Sequence, residues 1–443
     1  MLVITIFSAV LNRKSIIYLV WLLSFISTGN AQSDTLYLSL PEALNLAQKN
    51  SPIYLEASID KNSSWLNLTS NISKVLPTPV ASATYTESQN NNLAPFTTKH
   101  KTYAGSIGLN QVLFDADAWT GIYKGKLYYD YYQLQAKDKL ANLSYSIKLS
   151  YFTLGKAYNL YENAVVALKR AEDNYKLAQE KKRLGQINEF ELLRSEIYKT
   201  QAELDLLTAE KNLKVCTEDL KRQLGIVEKS IIKPTSVPEV PDSEIDFETI
   251  FTNILKGNIA LKSSKKYKSI GQINLVQAIA NLIPSMYLFW KSTYSDSIRP
   301  TAVSHWKDND VISYGVQLNF PVLEIKSYLL GVANARNEIR KSSVLLKKNE
   351  LLLCNNAINA IFSYQEAKKR LEYAKKNLNL NQELLRLAQK QYRLGGISQL
   401  DLLNAEINFN TAQNSYINAL YDTYTSYAQI EYLLGIISDW TRK

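Results

Sequence analysis

Two spacings of apolar residues run along this chain, and each occurs twice. From Leu192, steps of three and four land on Ser195, Lys199, Ala202, Leu206, Ala209, Leu213, Cys216 and Leu220. From Leu402 the same steps reach Ala405, Phe409, Ala412, Tyr416, Ala419, Thr423, Ser426 and Ile430. A seam sustained at this spacing predicts coiled-coil packing, and its small residues let neighbouring helices approach closely. The second spacing is two. Tyr314, Val316, Leu318 and Phe320 face one way, while Gly315, Gln317 and Asn319 face the other. Ser106–Asn110 alternates likewise, with Asn110 in the place of Asn319, and Val80–Glu87 and Tyr287–Tyr294 supply the partner strands. Polar loops, Ser88–Lys101 and Ser295–Asp310, join each pair.

The doubling is visible in the letters as well. Residues 177–226 and 387–436 match in order and without a gap, so that Arg183 answers to Arg393, Gly185 to Gly395, Glu196 to Glu406 and Ala209 to Ala419. Each copy must adopt the same local structure, which makes the chain a duplicated unit. In each half a helical stretch closed by proline precedes the strands: Leu40–Leu76, with a break at Asn50-Ser51-Pro52, and Phe247–Ile283. A proline-free run follows them, Trp119–Leu184 and Leu329–Leu394, each a rod of roughly 100 Å at 1.5 Å per residue. Shorter helices then run over Phe190–Leu224 and Gln399–Leu433, roughly 50 Å each. Two short helices laid end to end match one long one, as the wall of a hollow helical tube requires.

These patterns divide the chain into residues 32–235 as a first structural repeat, 236–245 as a linker, 246–436 as a second repeat and 437–443 as a tail. Residues 1–31 read as an export signal: Asn12-Arg13-Lys14, an apolar run from Ile16 too short to span a bilayer, and Gly29-Asn30-Ala31 ahead of the cut.

Composition narrows the function. Hydrophobic content of 46% with 21% charged residues is that of a folded chain. The net charge of +10 comes from Lys and Arg interleaved with Asp and Glu on periodic segments, the pattern of solvated helix faces and not of a nucleic-acid partner. The two histidines, His100 and His305, fall in the strand loops, and neither a metal-ligand cluster nor a nucleophile–base arrangement is present. Gly121-Ile-Tyr-Lys-Gly-Lys126 is one residue short of a phosphate loop. No enzyme, cofactor or metal is expected. Cys216 and Cys354 occupy non-equivalent places and read as buried free thiols.

Alternation with one apolar and one small or polar face suits a membrane barrel, with Tyr314 and Phe320 as aromatic ends; a soluble half-buried sheet shares the pattern. Four strands cannot close a barrel, and an open sheet edge in hydrocarbon is prohibitively costly. Either the strands lie outside a membrane, or several chains share one barrel. Two would supply eight strands, filled by side chains; three would supply twelve, enough to leave a pore.

Leu40-Pro-Glu-Ala-Leu44, Leu109-Asn-Gln-Val-Leu-Phe-Asp115, Leu318-Asn-Phe-Pro-Val-Leu323 and the paired Arg-Leu-Gly segments, in this duplicated order, resemble the TolC-like outer-membrane efflux proteins over nearly all of the chain downstream of the signal. The resemblance implies a mainly α fold with a β part: a homotrimer whose four strands per chain close a 12-stranded outer-membrane barrel above a helical periplasmic tunnel. It implies a passive efflux or type I secretion channel, docked to a periplasmic adaptor and an inner-membrane pump of RND or ABC type. Arg183, Leu184, Gly185, Arg393, Leu394, Gly395 and Gly396 then become the adaptor-contact tips. Asp401 matches the first of two aspartates that constrict the family's pore, whereas Asn404 departs from the second. Asn110, Gln317 and Asn319 would line the barrel lumen. The competing reading is a soluble periplasmic coiled-coil scaffold or adaptor.

Overall fold

The computed structural model describes residues 35–90, 98–226, 231–235, 246–297, 310–320 and 325–436. The export signal, the 236–245 linker, the 437–443 tail, His305 and the tips of the strand loops lie outside them. In chain order the elements are β1 (Thr35–Leu38), α1 (Leu40–Asn50), α2 (Pro52–Ser73), β2 (Thr78–Asn90), β3 (Thr98–Phe114), α3 (Ala116–Arg183) and α4 (Glu189–Leu224). The second unit repeats them as β4 (Ile231–Pro234), α5 (Phe247–Gly257), α6 (Ile259–Ala280), β5 (Ser285–Asp296), β6 (Asp310–Asn319), α7 (Ile325–Arg393) and α8 (Gln399–Leu433).

Local chemistry accounts for the boundaries. At the start of α1, the Ser39 backbone N–H and hydroxyl both donate to Glu42, at 2.8 and 2.6 Å, and Pro41 occupies the first turn, where its missing N–H costs nothing. The break between α1 and α2 falls at Ser51, where Pro52 opens the next helix. Its counterpart in the second half carries no proline, and periodicity alone predicts one continuous helix over Phe247–Ile283. The structure breaks there too: Asn258 ends α5 in extended backbone, caps Leu261 N at 2.9 Å and donates to Leu433 O at 3.1 Å. A side-chain cap joined to a tertiary hydrogen bond replaces the proline.

The helices pack as two hairpins, α3–α4 and α7–α8, with α2 and α6 extending α4 and α8 toward the strands. Helix α3 is the spine, touching α2, α4, α6 and α8. Every residue of both predicted seams is buried or half-buried. At mid-height the core thickens. The parallel pair β1–β4, which the periodicity did not reveal, packs with Leu44, Ile147, Tyr151, Leu220 and Leu224. Helix α5 covers Leu353, Ala357 and Ile361 of α7 in the same way. Cys216 and Cys354 are free, and both are half-buried where full burial was expected.

The strands form one antiparallel sheet in the order β2-β3-β5-β6. Each is longer than the alternation alone marked, because the polar ends beyond the apolar band still pair. Tyr314 therefore lies within β6, opposite Trp290, and not at its end. β3 and β5 join the two repeats, and β2 and β6 are left as the outer strands.

Candidate functional site

Two regions gather the residues singled out by sequence, the sheet and the hairpin tips, and the seam between the hairpins adds a third. In the sheet, Asn110 lies in register with Thr78 and Phe289, and Phe289 with Gly315. Gln317 and Asn319 follow on the same face, and Gln317 Nε2 donates to Asn319 Oδ1 at 2.9 Å. That face is mostly small or polar: Ser82 and Ser106 share a hydrogen bond of 2.8 Å, with Thr84, Ala104 and Gly108 beside them. The opposite face exposes Ile107, Leu109, Leu288, Trp290, Ile312, Val316, Leu318 and Tyr314, the last at 79%. An apolar surface of this size exposed on a sheet marks contact with lipid or with another protein.

Both hairpin tips turn through a glycine in the left-handed region, Gly185 at φ 70° and Gly395 at φ 76°. The Gln186 N–H donates to Lys181 O and the Gly396 N–H to Gln391 O, both at 2.9 Å, closing the last turns of α3 and α7. Gly396 itself has no positive φ, so Gly395 alone needs to be glycine for the turn. The leucines before the turning glycines are bare, Leu184 at 62% and Leu394 at 77% exposure. The tips touch one another: Lys181 lies 3.8 Å over the Tyr392 ring, and buried Gln399 donates to Ser195.

Asp401 and Asn404 are exposed on the first turns of α8. The Asp401 carboxylate accepts from the Ser398 hydroxyl at 2.7 Å and from its N–H at 3.2 Å, the second half of a capping box. The equivalent Glu191 follows an Asn188 cap, with Arg194 stacked 4.6 Å from Phe190 in the place of Asn404.

The seam between α3 and α8 carries residues that the sequence reading passed over. Lys148–Glu431 (2.7 Å), Asn159–Tyr421 (2.8 Å), Asn163–Asn414, Arg170–Asn410 and Asn174–Glu406 (2.6 Å each) form a ladder of polar rungs. Asn159, Asn163, Arg170 and Asn174 follow heptad-like steps, which was the available signal. Glu406 is 2% exposed, and burial pushes its carboxyl above the ordinary range despite the Asn174 amide and the nearby Arg170. Burial, with the Glu406 charge adding to it, pushes the Tyr198 phenol up to about 12. Glu196, the repeat partner of Glu406, is exposed, so the copies differ at this point.

Among the described residues no group of three or more His, Cys, Asp and Glu is placed to hold a metal ion. None of their helices is long and apolar enough to cross a membrane.

Residues 252–436 match the family model described as "Outer membrane efflux protein". The chain is 23% identical over 272 residues to Nodulation protein T of Rhizobium leguminosarum bv. trifolii, a match covering 60% of this chain and 57% of that protein. It is 21% identical over 359 residues to the alkaline protease secretion protein AprF of Pseudomonas aeruginosa, covering 77% and 71%. Its fold is that of the Campylobacter jejuni CmeC outer membrane channel (TM-score 0.81, 17% identity, 89% of this chain and 85% of that one). It is also that of the open-state Neisseria gonorrhoeae MtrE outer membrane channel (TM-score 0.75, 15% identity, 92% and 94%).

Proposed function

We infer that this chain, which belongs to the outer-membrane efflux protein family, is the outer-membrane channel of an efflux or secretion system. It sits in the outer membrane and extends into the periplasm. The observation that carries the assembly is the set of surfaces one chain leaves open. Within the chain, β3 pairs with β5, and α3 receives α6 and α8 of the second unit. Repeat equivalence maps those contacts onto β6 with β2, and onto α7 with α2 and α4. These last are the free strands and unpartnered faces: Leu351, Tyr373, Leu380 and Leu384 on α7 are exposed, as are Leu193, Ile197, Leu204 and Leu207 on α4 and Leu55, Ile59 and Leu66 on α2. A head-to-tail contact that repeats the internal one closes a ring.

Three copies would supply the twelve strands of one barrel, with Asn110, Gln317 and Asn319 facing its lumen and the lipid outside. The bare Leu184 and Leu394, framed by Arg183, Arg393, Gly185 and Gly395-Gly396, form the contact surface for a periplasmic adaptor, which links the channel to an inner-membrane pump of RND or ABC type. A ring of Asp401 carboxylates, with Asn404 where a second acid would stand, forms the periplasmic constriction and favours cations. The chain acts as a conduit and not as an enzyme.

Conductance of the purified protein in planar bilayers tests the reading. Steps with cation preference are expected, and Asp401→Ala should weaken that preference. A protein that is monodisperse without detergent and gives no conductance would sink it.

A further inference from the structure

The two repeats build the upper tunnel from equivalent helices but charge them differently. Helix α6 carries Lys262, Lys265, Lys266 and Lys268 and no acidic residue, whereas the equivalent α2 carries Glu56 and Asp60 against Lys61. Keeping a helix face in water therefore does not account for the lysines, since its twin does so with the opposite balance. Helix α7 continues the trend with Arg336, Arg340 and Lys347, all exposed on the single chain and without an ion pair among its described residues. Arg340, the repeat equivalent of Asp130, lies beside the α7 face assigned above to α2 of the next copy.

The α7 cations lie on one side of the wall. Arg340, Lys347, Cys354 and Ile361 are heptad-spaced, so they share one stripe of α7. The stripe is exposed at Arg340 and Lys347, half-buried at Cys354 and fully buried at Ile361, where α5 covers it. A hollow tube can carry the mid-height layer of α5, α1 and the β1–β4 pair only on its outside, so the stripe faces outward. Lys265 on α6 stands at the same height, because the neighbouring Ser264 hydroxyl accepts from Asn349 at 2.9 Å. Glu338 falls on another flank of α7, and Glu350, three residues after Lys347, is half-buried.

The height of the stripe chooses its partner. Helix α7 starts at the end of the sheet, and a rise of 1.5 Å per residue puts Arg336 about 17 Å and Lys347 about 33 Å below it. The headgroup layer beneath a bilayer core is only about 5–8 Å deep. Lipid headgroups are therefore out of reach.

We propose that Arg336, Arg340 and Lys347, with Lys262 and Lys265, form an outward basic band that binds a carboxylate-rich polymer lying parallel to the membrane in the periplasm, the chemistry of the peptide stems of the cell wall. This rests on the tunnel reading above. Multiple exposed cations facing repeated carboxylates bind through summed, salt-screened attraction, and such a contact would hold the tube upright without a dedicated pocket.

Full-length protein in neutral-detergent micelles, cosedimented with purified cell-wall sacculi, tests the proposal. The protein should pellet at low salt and be released at about 1 M salt, where the screening length falls to about 3 Å. The triple variant Arg336→Gln/Arg340→Gln/Lys347→Gln should bind about tenfold more weakly. Sacculi whose carboxylates have been amidated should not pellet the parent. Equal pelleting of parent and variant, no pelleting of the parent, undiminished binding to amidated sacculi, or equally strong loss of binding to phosphatidylglycerol vesicles would each overturn it. Bilayer conductance of the variant should match the parent. Absence of conductance from both proteins would instead count against the channel reading, which keeps the two failures apart.

Discussion

Glycine positions separate backbone demand from space. Gly185 and Gly225 share a left-handed φ near 70°, but a Cβ on Gly185 meets nothing within 4 Å, whereas on Gly225 it falls 2.4 Å from Asn50 O. Gly185→Ala should cost about 1 kcal/mol, the left-handed penalty alone. Gly225→Ala must also displace the end of α1 and should cost clearly more, read as the difference in denaturation midpoint. Glu406 allows a test by pH. Its folded pKa lies above the unfolded one, so its protonated form adds stability at low pH, and that contribution is lost as pH rises through the folded pKa. Glu406→Gln keeps an oxygen for Asn174 without the buried charge. It should raise the thermal midpoint near pH 8 and leave it almost unchanged below the ordinary carboxylate range; an equal effect at both pH values would contradict this.

The approach of α3 to α8 beside Tyr421 depends on one residue. A Cβ on Gly155 of α3 would lie 2.8 Å from the Tyr421 hydroxyl and 2.9 Å from its ring, and Tyr421 is itself buried and accepts from Asn159. Gly155→Ala should therefore destabilise the α3–α8 packing by about 1–3 kcal/mol, with earlier proteolysis of the second hairpin than of the first. Helix and strand existence was legible because both seams and both alternations are long. The break at Asn258 was not, since no proline marks it and the bond from Asn258 to Leu433 O forms only once α8 is in place. The polar rungs were also hard to read, because a heptad of Asn and Arg looks like solvated surface until α8 covers it.

For the whole molecule, the repeat predicts a register between copies that one chain cannot display. Asn110 pairs with Phe289 inside the chain, and shifting both to their repeat equivalents pairs Asn319 with Ser82 of a second copy, and Gln317 with Thr84. Both new pairs keep the polar face on one side, a condition that a slip of one residue would violate. In a chain with Cys216 and Cys354 replaced by serine, Gln317→Cys together with Thr84→Cys should cross-link under oxidation into a ladder that stops at three chains. Dimers alone, or no cross-link, would overturn the arrangement.

Sequence by itself determined the duplication, the lengths of the hairpin helices, the seam residues and the two-faced strands, because each follows from periodicity within one element. It also located Gly185 and Gly395, since a helix that ends in a left-handed turn calls for glycine locally. Tertiary structure alone decided that β3 and β5 join the repeats, that β2 and β6 stay free, and that Glu406 is buried while Glu196 is not. Those outcomes depend on which elements meet. Equivalent residues in the two copies carry the same local preferences but different neighbours, and burial is a property of the neighbours.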